Sequence, residues 1–282
     1  MTALHEISIR EALIRGSRLL TDSESPWLDA CLLLGKELGW SREKLLASYP
    51  DVLDQKVYAD YMELIEKRSQ GYPVAYITGN KEFFGRDFHV REGILCPRPD
   101  TEILIEEALK HIEKRRYRRV HDLCTGSGCI GLTLALENPE LSVSVSDISP
   151  VSRDVFEINR KNLGADTVPF TLTSLFEGLS GSLDLIVTNP PYLTTSETEE
   201  RMDSSWKEPE LALDGGNDGL DLIRTIIREA PALLTIEGML MIEADPRQME
   251  AMASLMEAAG FCRIERVRDL AGDERVILGS LS

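Results

Sequence analysis

Two short segments of this 282-residue sequence have the composition of a reaction site. Asn189-Pro190-Pro191-Tyr192 follows the apolar run Leu183–Thr188, so it stands where a strand should end. Two consecutive prolines cannot continue a hydrogen-bonded ladder, and they fix a rigid turn. That turn can aim its carbonyls and the Asn189 side chain into a cleft. An amino group about to be methylated brings two N–H donors. It needs two acceptors that leave its nitrogen lone pair facing the incoming carbon. The Asn189 side-chain oxygen and the Pro190 carbonyl can be those acceptors, and Tyr192 can lie against a planar group. A plain strand-ending turn would need only the prolines.

The second segment is Asp122-Leu-Cys124-Thr125-Gly126-Ser127-Gly128-Cys-Ile-Gly131. Gly126, Gly128 and Gly131 form G-x-G-x-x-G between a β-branched run and a helical pattern, and Asp147 follows 19 residues after Gly128. Glycines there let the backbone approach a ligand, and an acid at that distance takes a ribose diol. The pattern fits a dinucleotide or another adenosine cofactor such as S-adenosylmethionine. The Asn-Pro-Pro-Tyr turn favours the second. An NAD-dependent dehydrogenase would need a hydride-site His or a Tyr-x-x-x-Lys pair, and neither is visible. His5, His89, His111 and His121 lack metal-ligand spacing to any of the five cysteines, so no metal site is expected.

These segments need a frame to hold them. Residues 1–70 carry apolar positions at helical spacing, such as Ile9, Leu13 and Ile14, then Leu28, Leu32 and Leu33. They read as a small helical domain without a glycine loop, suited to recognising a protein substrate. Residues 71–96 are rich in aromatic and β-branched residues with turn signals, and read as a linking β-hairpin closed by Pro97 and Pro99. Residues 97–282 alternate strand and helix patterns, which predicts an α/β fold with a mainly parallel sheet. Only Leu270–Asp273 separates the last two strand patterns, too few residues for a parallel crossover, so the last strand should be antiparallel.

Composition narrows the function classes. Apolar residues at 43% and charged residues at 28% are ordinary for a globular protein. No stretch reaches the length of a membrane helix, the N-terminus has no signal-peptide core, and five cysteines suit reduced thiols, so a cytoplasmic location is expected. The net charge of −17 repels phosphate backbones and disfavours a bulk nucleic-acid substrate. The one basic run, residues 114–119, reads as a solvated helix end, with a docking patch for RNA or an acidic partner as the alternative.

The tetrapeptide Asn189–Tyr192 together with Asp122–Gly128 resembles class I, S-adenosylmethionine-dependent amino-methyltransferases. More narrowly, the chain resembles the HemK-type glutamine methyltransferases that modify peptide chain release factors. Glu82–Gly85, Ile94–Glu102, Glu208–Leu213, Gly215–Gly219 and Gly272–Gly279 extend the likeness over nearly the whole length. The resemblance implies a Rossmann-like seven-stranded sheet and methyl transfer to the side-chain N5 of the glutamine in the Gly-Gly-Gln loop of class 1 release factors. Adenine or guanine amino-methyltransferases of nucleic acid share Asn-Pro-Pro-Tyr and are the alternative. Carried over residue by residue, the cofactor loop is Cys124–Gly128 with Asp122 before it, the ribose acid is Asp147, and the substrate clamp is Asn189–Tyr192, with Asn189 also beside the cofactor. Three positions depart from the family pattern. Cys124 replaces a glycine, Ser174-Leu175 replaces the acid-plus-aromatic pair by the adenine, and Glu243-Ala244-Asp245 replaces Glu-x-Gly.

Overall fold

A computed structural model describes residues 6–203 and 207–282. His5 and the first five residues of the expected helical domain lie outside the described residues. Five helices come first: α1 (Ile9–Leu19), α2 (Pro26–Leu38), α3 (Arg42–Ala47), α4 (Gln55–Ser69) and α5 (Val74–Thr78). Local chemistry sets their ends. Ser8 and Glu11 form a reciprocal capping box on α1, Ser41 caps α3, and Gly39 closes α2 at φ 62°. Their apolar faces bury Leu13, Leu33, Leu34, Tyr61 and Ile65 in one core.

The stretch expected to be hairpin from residue 71 begins instead as helix α5. Pro73 opens it and Gly79, at φ 81°, ends it, while its Val, Tyr and Ile side chains carry the β-like composition. The hairpin proper is shorter, β1 (Asn80–Phe83) and β2 (Arg86–His89). Phe84 and Gly85 between them both have positive φ, 51° and 70°, the tight turn whose twist matches a hairpin.

The chain divides into two compact units, one through Asn80 with Met202–Lys207, the other Lys81–Arg201 with Glu208–Ser282. The hairpin thus belongs with the second unit, where Phe83 and Phe88 are fully buried beside Leu104, Ile105 and Ala108.

After the hairpin come α6 (Glu102–Arg115), β3 (Arg119–Leu123), α7 (Cys129–Glu137), β4 (Ser142–Asp147), α8 (Pro150–Asn162), β5 (Phe170–Leu172), β6 (Leu183–Thr188) and α9 (Thr195–Asp203). Then follow α10 (Asp221–Glu229), β7 (Leu234–Glu243), α11 (Met249–Ala258), β8 (Cys262–Arg268) and β9 (Glu274–Ser280). The seven-stranded sheet has the order β5-β4-β3-β6-β7-β9-β8. Strands β3 to β7 pair in parallel, and β9 runs antiparallel to both neighbours. Strand β7 starts five residues earlier than Met239, where its apolar pattern begins, because Leu234 pairs with Leu183 across a bulge.

The strand order reverses between β3 and β6, and open α/β sheets bind ligands at the carboxyl edge of such a point. Leu123 pairs with Ser146 on one side and Thr188 on the other, and Thr188 pairs with Ile242. The glycine loop, Asp147, Asn189 and Glu243 therefore emerge along one edge of the sheet.

Candidate active site

The loop after β3 alternates left-handed residues: Cys124 at φ 59°, Gly126 at 56° and Gly128 at 85°. Each glycine has its own reason. A Cβ on Gly126 would meet nothing within 4 Å, so that backbone faces open space. A Cβ on Gly128 would lie 2.6 Å from Phe156 on α8, and one on Gly131 2.5 Å from Val145 on β4, so Gly128 lets the loop approach α8 and Gly131 lets α7 approach the sheet. Cys124 adopts the left-handed conformation without glycine; it is half-buried, and desolvation pushes its thiol up.

Two aspartates hold the loop. Asp122 is fully buried, and its Oδ2 accepts from the Thr125 hydroxyl and from Gly131 N at 2.9 Å. Asp122 is not among the residues that line the cleft, and its hydrogen bonds shape the loop. Asp147 stands at the cleft, accepting from Gly126 N and Ser149 N, each at 2.8 Å. Its carboxylate bridges the loop and the start of α8. Asn159, with no exposure, donates to Ser127 O and His89 O and accepts from His89 N, which ties loop, α8 and hairpin together.

Burial lifts Asp122 to about 7, against the hydrogen bonds from Thr125 and Gly131 that lower it. The sign for stability follows. An acid raised above its unfolded value of 3.8 favours the folded state while protonated, and that contribution is lost as pH rises toward and through 7. Asp122→Asn, which mimics the protonated carboxyl, should lose less melting temperature than the wild type from about pH 4 to 7, Glu243 titrating in both proteins. Parallel melting curves for the two proteins across that range would contradict the buried carboxyl's role.

Of the expected cofactor residues, Cys124, Thr125, Gly126, Ser127, Asp147, Ser174, Leu175 and Asn189 line one cleft, and Gly128 sits just behind it. Ile148, 53% exposed, adds an apolar surface beside Asp147. At the other side, Asn189 and Pro191 line the same cleft, with Pro190 and Tyr192 in the same turn. Tyr192 is held by its backbone, since Gln248 Nε2 donates to its carbonyl at 2.9 Å. Burial pushes its phenol up to about 12, so it stays protonated.

Residues from other segments of the likeness complete the site. Gly215 N donates to Leu193 O at 2.8 Å, and a Cβ on Gly215 or Gly219 would collide with the carbonyls of Pro191 or Tyr192. This glycine turn backs the proline turn by direct backbone approach. Arg98 lines the cleft and pairs with Glu208, which is buried and also accepts from Cys96 N at 2.8 Å. Thr101, 2% exposed, accepts from Asn189 Nδ2 at 3.2 Å. Glu102, by contrast, accepts from Phe84 N at 2.9 Å and anchors the hairpin.

The donor set fits an adenosine cofactor without phosphates. Gly126 leaves open space beside a carboxylate and apolar walls, and among the described lining residues Arg98 is the only cation, already neutralised by Glu208.

Two family descriptions match the chain: the PrmC N-terminal domain over residues 11–79 and the methyltransferase small domain over residues 100–206. The release factor glutamine methyltransferase of Clostridium acetobutylicum is 37% identical over 279 residues, covering 96% of this chain and 98% of that protein. The Burkholderia pseudomallei protein of the same name is 36% identical, covering 94% and 95%. Among solved structures, a T. thermophilus 16S rRNA methyltransferase in complex with AdoMet and guanosine shares the fold at TM-score 0.54 and 18% identity, covering 72% of this chain and 50% of that one. A methyltransferase from Pyrococcus furiosus does so at TM-score 0.52 and 13% identity, covering 71% and 91%.

Proposed function

The chain belongs to the release factor glutamine methyltransferases, and on that premise we propose that it methylates the side-chain nitrogen of the Gly-Gly-Gln glutamine in class 1 release factors. One observation carries the reading. Asn189, on a rigid proline turn, and the glycine loop with Asp147 line a single cleft at the reversal point of the sheet. S-adenosylmethionine, when bound, supplies an electrophilic methyl group on its sulfonium. Asp147 would hold the ribose, and the glycine loop at Gly126 would hold the methionine moiety. Thr173–Leu175 and Ile148 offer apolar and hydroxyl contacts where the family uses an acid and an aromatic ring.

A glutamine amide is a weak nucleophile because its lone pair is delocalised into the carbonyl. The chain's own residues act by orientation. Asn189 Oδ1 and the Pro190 carbonyl accept the two N–H groups, which turns the nitrogen lone pair toward the methyl carbon. A dry cleft strengthens both hydrogen bonds. The amide proton leaves to water after transfer, so no strong base is required beforehand.

A cleft that grips one amide cannot identify a whole release factor, so a second surface must contribute to specificity. Residues 1–70 supply it in this reading. They leave Leu19, Leu46 and Val52 about half exposed, at 52%, 45% and 59%. Among the described residues no helix is long and apolar enough to cross a membrane, and the site of action in this reading is the cytoplasm, where release factors work. The function is tested by supplying labelled S-adenosylmethionine with purified release factor or ribosomal RNA. Label should enter the protein; label entering only the RNA would overturn the reading.

A further inference from the structure

Asn189 serves as an acceptor only if its oxygen, not its NH2 group, faces the cleft. Turned end for end, the same side chain would present donors to a target amide that brings donors of its own. Something must choose between two orientations of almost equal shape.

The surroundings of Asn189 make that choice. Its Nδ2 donates to Thr101 Oγ1 at 3.2 Å, just before α6. Thr101 and Asn189 both present hydrogen-bonding groups to the carboxyl of Glu243. Glu243 is the last residue of β7 and is 1% exposed. Its Oε2 is buried with no hydrogen-bond partner among the described residues. The pairing of Thr188 with Ile242 sets Asn189 and Glu243 side by side at the sheet edge. An ionised carboxylate only accepts. The single hydroxyl proton of Thr101 is free to turn to Glu243, because the Thr101 oxygen accepts from Asn189. Asn189 must therefore turn its NH2 group toward this pair, which leaves Oδ1 for the cleft.

We propose that Glu243 and Thr101 are positioning residues that fix the orientation of Asn189, so that its oxygen meets the target amide. This rests on the reading of Asn189 as an acceptor for glutamine. Protonated Glu243 would carry a donor of its own and could bond Asn189 Oδ1, so the device works fully only when the carboxyl is ionised. The groups facing it are Arg275 on β9, which favours ionisation, and Asp100, which opposes it. Tyr192 and Cys129 also face it, and burial pushes both up to about 12, so they stay neutral. Burial dominates and lifts Glu243 to about 7, which places its change of charge in the working range.

The experiment measures kcat, KM for release factor and the Kd of S-adenosylmethionine for wild type, Glu243→Gln, Thr101→Val, Thr101→Ser and Asn189→Ala. For wild type, kcat should rise from about pH 6 to 8 as a carboxyl near 7 ionises. Glu243→Gln should lose about tenfold in kcat and lack that rise, with the Kd of the cofactor within about twofold. Thr101→Val should lose a similar factor, and Thr101→Ser, which restores the hydroxyl, should recover most of it. Should Glu243→Gln fail to fold, the Thr101 pair still decides. Wild-type kcat and pH profile in Thr101→Val or in folded Glu243→Gln, with Asn189→Ala crippled, overturns the positioning role and leaves the reading of the site intact. Full activity in Asn189→Ala overturns that reading itself.

Discussion

Asn189→Ala should lower turnover on release factor by about 100-fold or more, the loss seen when one oriented transition-state donor or acceptor is removed. The side chain ends a buried strand whose neighbours on both sides, β3 and β7, keep their register without it. It donates to Thr101 but carries no core packing of its own, so the fold should survive. The loss should appear in kcat, because the amide is held correctly only at the moment of transfer. Affinity for S-adenosylmethionine should change little, since Gly126 and Asp147 remain. Turnover within a few-fold of wild type would mean that the target nitrogen is oriented by other groups.

Gly219→Ala should be nearly as damaging from outside the cleft. Gly219 sits at φ 72°, where an alanine is strained by about 1–2 kcal/mol. Its new Cβ would lie 2.2 Å from the Tyr192 carbonyl oxygen and 2.4 Å from Gln248 Nε2. Those two atoms form the 2.9 Å hydrogen bond that holds Tyr192 in place. Backbone cannot yield as a flexible side chain can, so the proline turn itself must shift. A displacement of about 1 Å at a reacting centre can lower turnover about 100-fold. Cofactor affinity should stay near normal, because the loop after β3 makes no contact with this turn through Gly219. Unchanged turnover in a folded Gly219→Ala protein would show that the turn tolerates movement.

The parts of the site legible in the sequence are those written in contiguous residues. The glycine loop and the proline turn each occupy a single chain segment, and alternating strand and helix patterns place both at one sheet edge. The antiparallel β9 was legible for a similar reason, since the length of the preceding connection decides it. What depends on register or on distant partners was hidden. Thr101, Asn189 and Glu243 meet only because Thr188 pairs with Ile242 and α6 begins beside them. Nothing in a linear reading links residues so far apart. Asp122 reads as a cofactor residue by position, yet its burial turns it inward to Thr125 and Gly131. Residues 74–78 have strand-like composition, but Pro73 and Gly79 frame a helical turn, and such local signals outweigh a weak β propensity.

The most direct measurement locates the transferred methyl group. Intact release factor is incubated with the enzyme and S-adenosylmethionine, digested, and sequenced by tandem mass spectrometry. The predicted result is a single methyl on the side-chain nitrogen of the Gly-Gly-Gln glutamine, absent when that glutamine is replaced. A release factor left unmodified, or a methyl found on another residue, would contradict it.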